Sequence, residues 1–192
     1  HKYEPMIDRV DYLELNNDSD REGFINRYKT SVRYVDSVAT QVLDTLKKSG
    51  DLDNTVVIIT GDHGQEMNDN KLNFWGHNGN FTNAQIQVPF AMFGPGISDQ
   101  TVNWDRDVIT SHQDIVPTLM KNYLGVTSDS KNYSVGDDLL GEPVKRDWII
   151  SSNYSGYAII TDEHILEVGA GGQAWELIDH GAGRVLLVEK KA

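Results

Sequence analysis

The chain contains no cysteine. That excludes a disulfide framework, a zinc-thiolate centre and a cysteine nucleophile within it, and leaves the redox compartment open. No run of about 18 apolar residues occurs, so no segment reads as a membrane-spanning helix. Bases are scarce. Against 29 Asp and Glu stand 17 Lys and Arg, for a formal net charge of −12. Such a chain repels nucleic acid and anionic membrane surfaces, so no nucleic-acid partner is expected. An anionic substrate would need a local positive centre, such as a metal. No signal peptide opens the sequence, and the first residue is His1, in HKYEP, rather than Met. The chain is therefore expected to be an excised piece of a longer protein whose addressing signals lie upstream.

What is present is globular in composition, and 192 residues suffice to bury a sizeable core. Residues 1–17 are irregular, with Pro5 and Asn16-Asn17 as turn signals. Ser19 with Glu22 fits a capping box. Phe24, Tyr28, Val32, Val35, Ala39, Val42 and Leu46 then recur at helical spacing until Gly50. The stretch TVVIIT (55–60) predicts a short strand, apolar enough to be buried on both faces of a parallel sheet covered by helices. A polar loop follows from Gly61 to about Thr82, then a strand over 88–93 and the turn GPG. Asp114 is a plausible cap for a helix with Pro117 in its first turn and Gly125 near its end. This order is α/β grammar.

Beyond residue 127 the texture changes. WIISS (148–152), YAIIT (157–161), HILEV (164–168), AWELI (174–178) and RVLLV (184–188) predict a meander of antiparallel hairpins. Residues 1–126 are expected to form an α/β core, and 127–192 an antiparallel subdomain that continues the same fold.

The tripeptide DHG occurs twice, at 62–64 and 179–181. The second copy joins two short strands and reads as a hairpin connection, with His180 exposed. The first follows the carboxyl end of a strand, where ligands gather in open α/β sheets. Asp62 and His63 can reach one divalent ion if the backbone turns sharply, and Gly61 and Gly64 permit that turn. On the tripeptide alone a plainer reading stands ahead, with Asp62 capping a turn and His63 making a surface hydrogen bond. The long loop behind it changes the balance. It carries Glu66, Asp69, Lys71, His77 and Asn78, and loops of that length inside a compact domain are usually functional or mobile. His77, in WGHNG, could bind an anionic oxygen or protonate a leaving group, or be an ordinary surface histidine.

Strand-GDHG, the glycine-flanked histidine, VPF with GPG, SHQDIVPTL and the preceding helix RYKTSVRYVDSVATQVLDTLKKSG together resemble the C-terminal half of the sulfatase and alkaline-phosphatase superfamily. SVGDDLLG (134–141) and WELID (175–179) resemble its later landmarks. GDHGQEMNDN with FWGHNG is most similar to the periplasmic domain of sulfatase-like inner-membrane proteins of Gram-negative bacteria. The resemblance implies an alkaline-phosphatase-like sheet flanked by helices, with a small C-terminal antiparallel meander, as a fragment of a larger domain. It further implies Asp62 and His63 as ligands of a divalent cation, His77 as the catalytic residue that contacts a sulfate or phosphate ester, and His1 as a second substrate contact. His112 falls in a segment that is structural in the family. The nucleophile and the first acidic ligands belong to the family's N-terminal half.

The expected function is hydrolysis or transfer at a sulfate or phosphate ester. The alternative is a catalytically weak envelope module that binds a lipid head group. Two ligands are too few for a stable metal site, so the chain alone is expected to lose the cation and be inactive. The resemblance also implies a periplasmic location and a membrane anchor upstream.

Overall fold

The computed structural model describes residues 2–77, 79–97, 108–142, 146–178 and 183–186. Helix α1 runs Arg21–Ser49. Its cap is Asp20, whose carboxylate accepts from the Glu22 amide at 2.9 Å. The expected cap, Ser19, instead accepts from the Asn16 amide, so the chain starts the helix one residue later and no reciprocal box forms. Two capping residues stand side by side here, and the turn at Asn16 engages the first. Gly50 ends the helix in the left-handed conformation, φ 79°. Phe24 is buried, edge-on to Tyr12 and to Trp75. Further along the same stripe Tyr28, Val32, Val35 and Val42 are exposed.

Strand β1 (Val57–Thr60) pairs with β4 (Phe90–Phe93) antiparallel, Val57 opposite Phe93 and Thr60 opposite Phe90. The expected parallel, doubly covered strand is therefore corrected. A parallel partner needs a long crossover, usually helical. The connection here holds only the two-residue strands β2 (Glu66–Met67) and β3 (Trp75–Gly76) and the four-residue helix α2 (Asn83–Ile86). The chain thus returns beside β1 in the opposite direction, and Ile59 is left 43% exposed.

Helix α3 (Ile115–Asn122) is entered through a single 3-10 turn, His112–Asp114. The cap of that turn is Ser111. The Ser111 hydroxyl accepts from the Gln113 amide and the Asp114 carboxylate accepts from the Ser111 amide, at 3.2 and 2.7 Å. Asp114 holds the cap position of α3, as expected, but its side chain makes no cap bond there and serves instead as the returning half of this box.

The C-terminal meander appears as expected, with boundaries within about a residue or two. β5 (Ile149–Asn153), β6 (Gly156–Ile160), β7 (Ile165–Gly169), β8 (Ala174–Ile178) and β9 (Gly183–Leu186) form one antiparallel sheet in sequence order. Ile160 lies opposite Ile165, and Ile165 opposite Leu177. With Ala158 and Phe81 they make the apolar core. Ile178 pairs with Gly183 across the second tripeptide, and Asp179, His180 and Gly181 themselves lie outside the described residues.

Candidate active site

The first tripeptide leaves the end of β1 as a turn pinned on both sides. The Thr60 hydroxyl donates to the Pro89 carbonyl at 2.9 Å, which ties β1 to the approach of β4. The Gly64 amide donates to the Gln85 carbonyl at 2.8 Å. A Cβ on Gly64 would sit 2.2 Å from the Ala84 carbonyl oxygen, so close backbone approach is what requires glycine there. Neither Gly61 nor Gly64 has a positive φ, and a Cβ on Gly61 would meet only ordinary contacts. The turn's sharpness therefore owes nothing to left-handed glycine.

Within this turn the His63 Nδ1 lies 2.8 Å from the Gly64 carbonyl. A carbonyl only accepts, so Nδ1 carries a proton, and in the neutral ring Nε2 is the bare nitrogen. That bare nitrogen is 3.6 Å from Asp62 Oδ2, and the Asp62 side chain is 89% exposed. The His77 ring stacks on His63, centroids 4.0 Å apart and planes 22° apart. Its Nδ1 donates to Gln65 Oε1 at 3.1 Å, which leaves Nε2 of His77 free as well. Asp62, His63 and His77 thus share one open cleft of about 1000 Å³, which Ser151 and Asn153 of the meander also line. His1 lies outside the described residues.

The donor set suits a divalent cation. Ligand distances near 2.0–2.2 Å let two donors up to about 4 Å apart share one ion, and a bare imidazole nitrogen beside an exposed carboxylate meets that condition. Among the described residues no third His, Cys, Asp or Glu joins them.

Beneath the histidines lies a polar foundation. The Glu66 carboxylate is fully buried and accepts from Gln85 Nε2 at 2.6 Å, Asn80 Nδ2 at 2.9 Å, Thr82 Oγ1 at 3.3 Å and Asn70 Nδ2 at 3.4 Å. Burying a carboxylate without a cation is tolerable when its lone pairs are filled by donors. Because Glu66 pairs with Gly76 across the β2–β3 hairpin, its neighbour Gln65 is set beside His77. Asn68, Lys71 and Asn73 turn the hairpin with φ near 55–60°, which asparagine tolerates well.

His112 also lines the cleft, and its Nε2 donates to the Gly61 carbonyl at 2.8 Å. A second buried carboxylate, Asp114, accepts twice from Arg146 and once from the Asp137 amide, at 2.6–3.0 Å. The Asp114 hydrogen bonds raise Arg146 above its ordinary value, against the effect of its burial. Sequence reasoning missed the roles of Asn80, Thr82, Gln85, His112 and Arg146. The S-x-x-D pattern at 111–114, a capping-box signature, was the signal that the segment is held rigidly. Nothing local in the sequence marks the partners of Glu66.

The family model described as Sulfatase matches residues 4–126. The inner membrane protein YejM of Salmonella typhimurium is 32% identical over 166 residues, which is 85% of this chain and 26% of that protein. The lipoteichoic acid synthase-like YvgJ of Bacillus subtilis is 34% identical over 142 residues, 70% of this chain and 22% of that protein. A protein solved in complex with its substrate D-glucosamine-2-N,6-O-disulfate superposes with a TM-score of 0.59 at 19% identity, over 81% of this chain and 34% of that one. The chain spans about a quarter of the length of the curated relatives it matches. Its fold is that of the corresponding part of these larger proteins, and on the extent of the family match the chain belongs to the sulfatase family.

Proposed function

We propose that the chain is part of a metal-dependent hydrolase or transferase acting on sulfate or phosphate esters, with Asp62 and His63 as metal ligands and His77 as the residue facing the ester. One observation carries this reading. Two stacked imidazoles and an exposed carboxylate line one cleft, and each ring is fixed by a hydrogen bond at Nδ1, which in the neutral form leaves its Nε2 available.

Each residue then has a separate task. Asp62 brings the negative charge and His63 the neutral nitrogen, with the His63 ring held by its own Nδ1–H on the Gly64 carbonyl. A divalent cation held there supplies positive charge against the ester oxygens and lowers the pKa of a hydroxyl nucleophile. His77 keeps one proton on Nδ1 for Gln65, so a second proton at Nε2 can be donated to a non-bridging oxygen or passed to the leaving group. The chain's charge of −12 offers an anion no general attraction, so its binding rests on this centre. The nucleophile and the remaining ligands come from the part of the family's domain that this chain does not span.

Two similar proteins support the ester chemistry, one lipoteichoic acid synthase-like and one bound to a disulfated glucosamine substrate. The YejM likeness favours a periplasmic domain of an inner-membrane protein, anchored outside these residues. Among the described residues no helix is long and apolar enough to cross a membrane.

The deciding experiment uses the full-length protein with p-nitrophenyl sulfate and p-nitrophenyl phosphate, and measures bound metal by elemental analysis. His63→Ala should lose bound metal and lower turnover by at least about 100-fold, in keeping with loss of a first ligand. Unchanged metal content and turnover would overturn the reading. A second reading is that of a binding module for an anionic lipid head group, in keeping with a relative that is an inner membrane protein. It is preferred if the wild type holds metal yet turns over neither ester, while His77→Asn weakens head-group binding.

A further inference from the structure

The tripeptide turn is held unequally at its two ends. At Gly64 the hold is backbone to backbone, reinforced by contact with Ala84. At Gly61 the shorter hydrogen bond to the carbonyl comes from a side chain 51 residues away, the Nε2–H of His112 at 2.8 Å, with the Thr60 hydroxyl a longer second contact at 3.2 Å. The Thr60 hydroxyl, 3.4 Å from the same nitrogen, has one proton to give, and the Pro89 carbonyl at 2.9 Å is nearer than the Gly61 carbonyl at 3.2 Å. Gly61 provides the last carbonyl before Asp62, so its direction governs where the carboxylate and imidazole leave the strand.

The base that carries His112 is rigid. Ser111 and Asp114 close the capping box on either side of it, and the fully buried Asp114 is gripped by Arg146. His112 itself is exposed at the cleft wall, so its ring supports no core packing.

We infer that His112 is a positioning residue: through its Nε2–H on the Gly61 carbonyl it sets the exit of the Asp62-His63 pair and so tunes that pair's grip on a divalent cation. This role rests on the metal-site reading of Asp62 and His63. Its chemistry requires only a donor at the position of Nε2. Glutamine places an amide N–H at that reach, whereas phenylalanine keeps the ring and removes the donor.

The test uses full-length protein carrying His112→Phe or His112→Gln, with two readouts. In metal-free protein, hydrogen exchange of the peptide spanning 60–66 should quicken about fivefold to tenfold in His112→Phe, the factor that one hydrogen bond's net worth sets. It should stay near wild type in His112→Gln. Affinity for Mn²⁺, measured by titration, should fall about 10–100-fold in His112→Phe and within about threefold in His112→Gln, the range typical of groups that orient a ligand. Wild-type exchange in His112→Phe, or equal damage in both variants, would overturn the inference. A wild-type protein that binds no Mn²⁺ would defeat the metal-site reading instead, and the metal-free exchange comparison would still decide His112.

Discussion

The loop that carries the histidines and the meander that walls the cleft are built on opposite principles. Under the loop most of the buried side chains are polar, namely Glu66, Asn68, Asn80, Thr82 and Gln85, beside the apolar Met67 and Phe81. Under the meander most are apolar, Ala158, Ile160, Ile165 and Leu177, with Glu167 the one buried charged group among the described residues of its strands. Hydrogen bonds are directional and costly to leave unmade, so the loop's conformation is specified residue by residue. Apolar burial is non-directional, so the sheet's register comes from the alternation of its side chains. The site is therefore rigid where chemistry needs placement and generic where it needs a wall. Phe81 joins the two, lying in the loop's sequence and in the meander's core.

Two substitutions of nearly constant volume break this comparison if it is false. Glu66→Gln keeps the size of the side chain but sets an NH₂ among four donors. We expect a loss of about 3 kcal/mol in the full-length protein, from the charged hydrogen bonds forfeited and the donors left unmatched. Leu177→Met also keeps volume and meets no directional demand. It should cost less than about 1.5 kcal/mol. Urea unfolding of both variants checks the pair, and equal losses would show that the loop is not polar-specified.

The same contrast decides what the sequence could reveal. The meander's strands were legible because short β-rich runs and the turns between them are local signals, as was the helix ended by Gly50. The convergence of Asp62, His63 and His77 was legible through the strand-loop context and the family resemblance. Strand direction was not, since VVIIT reads the same for a parallel or an antiparallel neighbour. The α1 stripe showed which face seeks cover, yet most of it is exposed among the described residues, because periodicity names no partner. Glu66 was visible as a loop acid without a role. Its donors lie four to nineteen positions away in segments that only the fold brings together, and Arg146 is 32 residues from Asp114.

Between the two regions stands a titratable joint, and it supplies the smallest expected effect. Arg146, just before β5, grips Asp114 on the site side and Asp137, which Lys131 also pairs. Burial pushes the Asp137 carboxyl upward, and the hydrogen bonds from Arg146 and Lys131 more than reverse this, holding it below its ordinary value of 3.8. A carboxyl depressed in the folded state stabilises fully above the unfolded value and ceases to do so as pH falls through the folded one. The stability gap between wild type and Asp137→Asn should thus be present at pH 6, about 1 kcal/mol or less for a pair this exposed, and close progressively below pH 3.8. Urea titrations of both proteins across that range measure it. A gap that persists unchanged in acid would mean that Asp137 acts through packing and not through its charge, leaving the joint as insensitive to pH as the apolar core it adjoins.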